Sequence, residues 1–279
     1  MTNESNASAP VTYETEGPVA VISLNRPAQA NAQNKELLIE LDKAWDRAAE
    51  DDDVKVIVLR GNGKHFSSGH DLSTSGAKEQ FDKDKAESGM MKLYMHERKH
   101  FLGFCRKWRD IPKPSIAVVQ GSCIAAGMML AWPCDLILAA DNAVFRDPVV
   151  MMGIGGVEYH GHTWEFGPRK AKEMLFTASS INAEEAKELG MVNRVVPLAE
   201  LDSQAMELAQ QIAKMPAFGL AMAKRAVNQT LDTMGQYAAI QSVFDIHSLG
   251  HGSAIAQCGF PVLVDLEKLK KAQAKKESD

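Results

Sequence analysis

The sequence predicts an α/β fold in which helices cover a largely parallel sheet. Up to residue 197, short runs rich in β-branched residues alternate with helical patterns, which is typical of this architecture. From residue 198 onward the pattern is almost entirely helical. We therefore predict a loose tail over residues 1–10, an α/β core over residues 11–197 and a helical C-terminal subdomain over residues 198–279.

The predicted strands are apolar on both faces and are bounded by Gly, Pro or Asn. They cover residues 19–24, 54–59, 115–119, 136–140 and 192–196. The predicted helices of the C-terminal part cover residues 201–215, 217–234 and 261–275, and Pro216, Gly235 and Gly259 separate them. A further helix is predicted over residues 82–108.

Two helices have clear start signals. Asn34 precedes an apolar stripe that begins at Leu37 and runs to Ala48, so that Asn34 is the expected N-cap. Asn182 with Glu185 three residues later resembles a capping box, and Gly190 provides the expected C-terminal stop of that helix.

Composition excludes several classes of protein. The chain has 279 residues, a net charge of -5 and 24% charged residues, which is typical of a globular protein and gives no basic footprint for nucleic acid. No apolar run reaches the roughly 18 residues of a membrane span, and the N-terminal residues do not resemble a signal peptide. We expect a cytoplasmic protein whose four scattered cysteines are reduced.

Familiar nucleotide and hydrolase motifs are absent from the sequence. Lys64 is followed by His65 where a phosphate loop needs Ser or Thr, and neither G-x-G-x-x-G nor G-x-S-x-G occurs. His247 and His251 are four residues apart on a predicted helix, but no third ligand has convincing spacing. We therefore expect no metal and no separate cofactor.

Two turns rich in small residues follow predicted strands. The first is HFSSGHDL over residues 65–72, and the second is QGSCIAAGMM over residues 120–129. Small residues let a ligand approach the main chain, and backbone N–H groups at such turns can stabilise developing negative charge. For each turn taken alone a purely structural role is the favoured interpretation, whereas the two together, in this order, are more specific and favour an oxyanion hole.

In the order and spacing of these motifs the chain resembles the enoyl-CoA hydratase/isomerase (crotonase) superfamily. The resemblance extends over nearly all of residues 11–275 and includes LNRPAQANAQN, HFSSGHDLS, PKPSIAVVQGSCIAAGMML, CDLILAADNAVFRDP, RKAKEMLFTASSINAEEAKELGMVNRVVP and AFGLAMAKRAVN. It implies a spiral of ββα units, a homotrimer or dimer of trimers, and an acyl-CoA thioester as partner, with coenzyme A as part of the substrate.

The same resemblance implies site residues. The backbone donors to the thioester oxygen fall at His70 and Ala126, and the loop around Asn31 is expected to lie along the nucleotide of coenzyme A. The implied substrate-binding residues are Arg26, Ala32, Ser68, Gly69, Asp71, Gly127, Met129 and Val149. For Arg26, an ordinary surface charge is an equally good reading.

One departure from the family pattern affects the predicted chemistry. Met129 and Val149 stand where family hydratases have two glutamates, and neither side chain can transfer a proton. We expect a relocated acid/base in the segment from 153 to 165, with Glu158 first, by analogy with the aspartate of naphthoate synthase, and His160 or His162 assisting. Glu158 at a helix N-terminus, hydrogen-bonded histidines and a packed Tyr159 are the structural alternatives; Asp147 is held in reserve.

Three functions remain open at this point. The first is hydration or related lyase chemistry on an enoyl-CoA with Glu158 as acid/base. The second is decarboxylation or carbon–carbon hydrolysis of a β-dicarbonyl compound using His70 and the His160/His162 loop, since the sequence around His70 resembles the methylmalonyl-CoA decarboxylase branch. The third is acyl-CoA binding without turnover.

Overall fold

The computed structural model describes residues 9–72 and 77–263, with only the backbone for residues 77–79. Most of the predicted tail, residues 1–8, lies outside the described residues. Residues 264–279 also lie outside, so most of the helix predicted over residues 261–275 is not described; residues 261–263 are not helical. The predicted domain boundaries therefore stay predictions.

Nine strands form within the described residues. They are β1 Val11–Glu16, β2 Val19–Leu24, β3 Val56–Gly61, β4 Ser115–Val119, β5 Ser122–Ile124, β6 Leu136–Ala140, β7 Val144–Arg146, β8 Ser180–Asn182 and β9 Arg194–Val196. Six of them make one sheet in the order β1-β2-β3-β4-β6-β9, in which only the β1–β2 pair is antiparallel. The prediction of a largely parallel sheet is confirmed, with β3 and β9 starting two residues later than expected.

The described part of the chain contains ten α-helices. They are α1 Lys35–Glu50, α2 Ala77–Ser88, α3 Met91–Glu97, α4 Phe104–Asp110, α5 Ala126–Ala131, α6 His162–Thr177, α7 Ala183–Glu188, α8 Leu201–Ala213, α9 Ala217–Thr233 and α10 Gln236–Cys258. Both predicted caps are confirmed: the side chain of Asn34 accepts from the amide of Leu37, and that of Asn182 from the amide of Glu185, each at 2.9 Å.

The single helix predicted over residues 82–108 is wrong. Gly89 has a φ of 61°, in the left-handed region that ends a helix, and its amide donates to the carbonyl of Lys85 at 2.8 Å. The chain restarts as α3 and then widens into a π-helical turn over Arg98–Gly103 before α4. Helix α2 ends at Ser88 and α3 begins at Met91, so the break is short and the sequence alone suggested one helix.

Both faces of the main sheet are covered. The stripe of α1 that includes Leu41 and Trp45 is fully buried in the larger apolar core. On the opposite face, Leu201, Ala205 and Ala209 of α8 pack against valines of β2 and β3 and their neighbours. The first helix of the predicted C-terminal subdomain therefore packs directly on the sheet, and burial on both sides explains why the strands read as continuous apolar runs.

The remaining strands β5, β7 and β8 form a small second sheet. Its strand β5 directly precedes α5, and an isolated parallel bridge joins Cys123 of β5 to Ser67. A second bridge joins Gln33 to His70. The first bridge joins the two small-residue turns directly, and the second joins the first turn to Gln33. Within the described residues, no helix is long and apolar enough to cross a membrane.

Candidate functional site

The turn that carries His70 is held by close backbone contacts. Gly69 has a φ of 91°, and a side chain there would place its Cβ 2.8 Å from the carbonyl oxygen of Ile124. The amide of Gln33 donates to the carbonyl of Gly69, and the amide of Asp71 donates to the carbonyl of Gln33, at 2.8 and 3.0 Å. His70 lies between these two bonds, so the orientation of its own amide is fixed.

The turn that carries Ala126 is strained. Ala125 has φ 49° and ψ −117°, a conformation that residues other than glycine rarely adopt, and its amide donates to the carbonyl of Arg146 at 2.8 Å. A side chain at Gly127 would place its Cβ 2.5 Å from the carbonyl oxygen of Ser67, so only glycine lets the two turns touch. This conformation immediately precedes Ala126, the first residue of α5.

Neither donor is used inside the protein. Across residues 9–72 and 77–263, the amides of His70 and Ala126 make no hydrogen bond to a backbone or side-chain acceptor, although Ala126 is fully buried. The side chain of Gln33 donates to the carbonyl of Ala126 at 2.9 Å and so fixes the same residue from the other side. Two oriented amides that are unused within the described residues, one on the buried Ala126 and one on the half-buried His70, are the arrangement that an oxyanion requires.

Glu158 lies beside this pair. Its side chain is buried, its Oε1 accepts from Nε2 of His70 at 3.1 Å, and Nε2 of His247 is 3.6 Å away. Burial raises the pKa of Glu158, but the charges of His70 and His247 and the hydrogen bond from His70 outweigh it, so the pKa lies well below that of an ordinary glutamate. Its Oε2 has no partner among the described residues.

His70 is also packed against an aromatic ring. The ring of Phe101, from the π-helical turn, stacks on the imidazole with centroids 4.1 Å apart. Because the carboxylate of Glu158 can only accept, Nε2 of His70 carries the hydrogen. The imidazole is therefore held in one orientation by Glu158 at its edge and by Phe101 on its face.

His160 and His162 form a second cluster. Nε2 of His162 is 2.9 Å from Oδ2 of Asp147, and the rings of His160 and His162 are 4.4 Å apart between centroids. Burial and His162 lower the pKa of His160 to about 4, although Asp147 raises it. The contacts of both histidines are with Asp147 rather than with Glu158, so their predicted assistance to Glu158 stays a prediction.

The sequence model of the enoyl-CoA hydratase/isomerase family matches residues 14–252. The chain belongs to this family. A probable enoyl-CoA hydratase from Mycobacterium smegmatis, of known crystal structure, is 60% identical with a TM-score of 0.84, over 90% of this chain and 98% of that one. EchA13 of Mycobacterium tuberculosis is 42% identical over 255 residues, 86% of this chain and 80% of that protein.

A third relative carries a more specific name. The short-chain-enoyl-CoA hydratase of Clostridium acetobutylicum is 34% identical over 224 residues, which are 78% of this chain and 81% of that protein. Together these matches confirm the crotonase superfamily and the crotonase-like α/β fold with its helical C-terminal region. The order of the motifs in the sequence had indicated the same family.

Both positions where the resemblance to this family expects glutamate are apolar and buried. Met129, in α5, is 2% exposed, and Val149, which opens a short 3-10 turn, is 9% exposed. Both side chains belong to the main apolar core. The structure therefore contains no carboxylate at either position, while Glu158 reaches the donor turns from the loop before α6. Glu158 is four residues ahead of that helix, so it is not its N-terminal carboxylate.

The residues expected to bind the nucleotide of coenzyme A lie together. Arg26 pairs with Asp71 at 2.9 Å and donates to the carbonyl of Ala32. The carbonyl of Ala30 accepts from the amide of Ser68 at 2.9 Å, and the side chain of Asn31 donates to the carbonyl of His65. Arg26 is thus tied to the first donor turn and is not an isolated surface charge.

Sequence reasoning missed Glu97 and the position of His247. Glu97 ends α3, far in sequence from every other site residue, and His247 and His251 come from α10. The spacing of the two histidines was visible, and the burial of His247, Ser248 and His251 on one face of α10 fits the helical period. The carboxylate that faces them could not be found by spacing, because it comes from another helix.

Proposed function

We propose that this protein is an enzyme acting on acyl-CoA thioesters and that it adds water across the double bond of an enoyl-CoA. The observation that carries the proposal is the pair of amides of His70 and Ala126, which have no acceptor within the described residues, at the contact of two interlocked turns. The family match supports the acyl-CoA class of substrate. The name of the Clostridium acetobutylicum relative supports the hydratase reaction.

The two amides would bind the thioester oxygen. Addition at the β carbon of an enoyl thioester moves charge onto that oxygen, and donors already in place stabilise it without reorganisation. Loss of one comparable donor costs about 3–4 kcal/mol of transition-state stabilisation. Because the donors are backbone groups, this function is compatible with the unusual side chains at Met129 and Val149.

Glu158 is the proposed acid/base. Its carboxylate accepts a proton from water as the hydroxyl group bonds to the β carbon, and the same proton is then delivered to the α carbon, so the net reaction adds one water. Its ionised state, its buried position and its Oε2 without a partner support this role. His70 holds Glu158 in place and at the same time supplies one of the two backbone donors.

The loop of Arg26 and Ala32, together with Asp71 of the first donor turn, is the proposed contact for the nucleotide of coenzyme A. The ion pair of Arg26 with Asp71 fixes this loop to the turn that holds Ser68 and Gly69. Binding of the distant nucleotide would thereby orient the thioester against the donors, which is how remote binding energy contributes to catalysis.

A second reaction is favoured by one observation. Met129 and Val149 give the site apolar walls where two proton-transferring groups would otherwise stand. Decarboxylation of an acyl-CoA needs stabilisation of the enolate more than it needs a strong base, because the carboxylate leaves as CO2 by itself. The same two amides, with His70, would serve that reaction.

The proposed assembly is a homotrimer or dimer of trimers. Helix α9 buries none of its side chains, and large apolar groups on α9 and α10 are exposed, among them Phe218, Val227 and Leu249. Such surface is expected where copies of the chain meet. Light scattering at several concentrations measures the mass of the assembly, and a monomer at every concentration would overturn the proposed trimer.

A cytoplasmic location is also proposed. It is supported by the four free cysteines.

The reaction is tested by product mass. Purified protein is incubated with enoyl-CoA esters of increasing chain length and with β-carboxylated acyl-CoA esters, and products are followed by mass spectrometry. Gain of one water from an enoyl-CoA is the expected result. Loss of CO2 selects decarboxylation instead. Tight binding by calorimetry with no product after long incubation would overturn both reactions and leave a binding protein.

A further inference from the structure

Three buried side chains from two helices converge behind Glu158. Glu97 ends α3, and His247 and His251 lie one turn apart on α10. All three residues are buried, with 4%, 4% and 8% of their surface exposed. One ligand atom of each, a carboxylate oxygen or a ring nitrogen, lies within 4.8 Å of the other two.

The two histidines are fixed in the same tautomer. Nδ1 of His247 is 2.7 Å from the carbonyl oxygen of Gly156, and Nδ1 of His251 is 2.7 Å from that of Pro261. A carbonyl only accepts, so each Nδ1 carries the hydrogen and each Nε2 is left to face Glu97. Metal-binding histidines are typically held in this way, by a hydrogen bond from the other ring nitrogen to a backbone carbonyl.

Of the atoms that face each other, one pair is within hydrogen-bond distance and the other is not. Nε2 of His247 and Oε2 of Glu97 are 3.8 Å apart, and both lack a hydrogen-bond partner among the described residues. Nε2 of His251 is 3.2 Å from Oε1 of Glu97. Leaving a buried acceptor or donor unsatisfied costs about 1–3 kcal/mol, and more for a charged group.

These separations suit a metal ion. Tetrahedral Zn²⁺ with ligands at about 2.1 Å places neighbouring ligand atoms about 3.4 Å apart. The separations of 3.2 and 3.8 Å lie on either side of that value. A cation between the three atoms would satisfy the unpaired oxygen of Glu97 and the unpaired nitrogen of His247 together. Protonation of one histidine does not do so, because 3.8 Å is too long for a hydrogen bond between them.

We propose that Glu97, His247 and His251 form a binding site for a divalent transition-metal ion, with Zn²⁺ as the expected occupant. Two imidazole nitrogens and one carboxylate are a ligand set that Zn²⁺ accepts, and they leave one coordination position for water or another group. Glu158 stands next to the site, with its Oε1 3.6 Å from Nε2 of His247. The inference does not depend on which reaction the donor turns catalyse.

The first test measures zinc itself. Tag-free full-length protein is stripped with chelator, dialysed against buffered Zn²⁺ and analysed by plasma mass spectrometry. One bound ion per chain is expected, and affinity should fall at least about 100-fold in Glu97→Gln and in His251→Gln. His100→Gln is the matched control. His100 lies four residues after His96 in the same helical stretch, and in the contacts described it faces no carboxylate.

A second readout covers variants that fold poorly. Wild-type protein loaded with Co²⁺ should give the intense visible bands of a four-coordinate site with nitrogen and oxygen ligands, and titrated Zn²⁺ should remove them. Thermal unfolding should move to higher temperature with Zn²⁺ in the wild type and in His100→Gln, but not in Glu97→Gln. No retained zinc in the wild type, or equal loss in His100→Gln, would overturn the proposal.

Discussion

Two buried carboxylates, Asp147 and Glu158, each lie next to a histidine, and they differ in how their oxygens are bound. Asp147 is fully buried, its Oδ1 accepts from the amide of Val149 and its Oδ2 from the amide of Val157, at 3.1 and 3.2 Å. Glu158 accepts from His70 with one oxygen and leaves the other without a partner in the part of the chain that the structure describes.

The difference between the two carboxylates lies in whether their oxygens have hydrogen-bond partners, not in the type of residue. Asp147 has its oxygens bound by the backbone on both sides of the loop 148–156, so its charge holds that loop against His162. Glu158 contacts the side chain of His70 with one oxygen, and its other oxygen has no partner among the described residues, so we propose that its charge is available to a bound molecule. Buried polar groups that lack a partner are more often functional than those that are saturated.

The largest expected effect is on turnover at Glu158. Glu158→Gln keeps the shape of the side chain and one oxygen that can accept from His70, but it removes the ability to take up a proton. The rate on the best enoyl-CoA should fall about 10³-fold, within the range for a positioned acid/base, while KM changes little. Steady-state kinetics on protein with an unchanged circular dichroism spectrum gives the measurement.

The matched control is an exposed glutamate of α7. Glu188→Gln removes the same charge far from the donor turns and should leave the rate unchanged. A full rate in Glu158→Gln would show that proton transfer uses another group, and would assign Glu158 to the structural class of Asp147.

Asp147→Asn should act on stability. The amide group of asparagine cannot accept at both ends, so one backbone N–H would face a donor and His162 would lose its carboxylate. We expect a loss of about 3 kcal/mol in the free energy of unfolding, as for other broken buried pairs, measured by urea titration with tryptophan fluorescence. Unchanged stability together with lost turnover would reverse the assignment of the two carboxylates.

The smallest expected effect is on the pH dependence of stability. The folded-state pKa of His160 is lowered to about 4, whereas in the unfolded chain it is near 6.5, so the unfolded state binds more protons between these values. Stability should therefore decrease as pH falls from about 6.5 toward 4. His160→Gln should reduce that acid-side loss by about 2 kcal/mol at pH 4.5. If the free energy of unfolding fell in parallel with pH in the wild type and the variant, this prediction would be contradicted.

The features that could be predicted from the sequence are those that local signals determine. The caps at Asn34 and Asn182, the strands Ser115–Val119 and Leu136–Ala140, and both donor turns depend on residues close together in the chain. The strands β1, β5 and β8 were missed because they are short or partly exposed, so they lack the continuous apolar runs that mark the central strands of the main sheet.

The candidate site was predicted only in part. Glu158 and His70 were both named, but from separate arguments, and their contact spans 88 residues. Glu97 gave no signal at all, because one buried glutamate at the end of a helix looks like any surface glutamate until α10 packs against α3. The pairing of His162 with Asp147 was likewise decided by tertiary packing, which brings a loop residue against the start of α6.

The most direct test of the account is the position of the thioester oxygen. A crystal structure of Glu158→Gln with a bound enoyl-CoA measures its distance to the backbone nitrogens of His70 and Ala126. The account predicts both distances at about 2.7–3.1 Å, with the side chain at 158 facing the α and β carbons. A thioester oxygen bound elsewhere, with either amide turned away or paired within the protein, would contradict it.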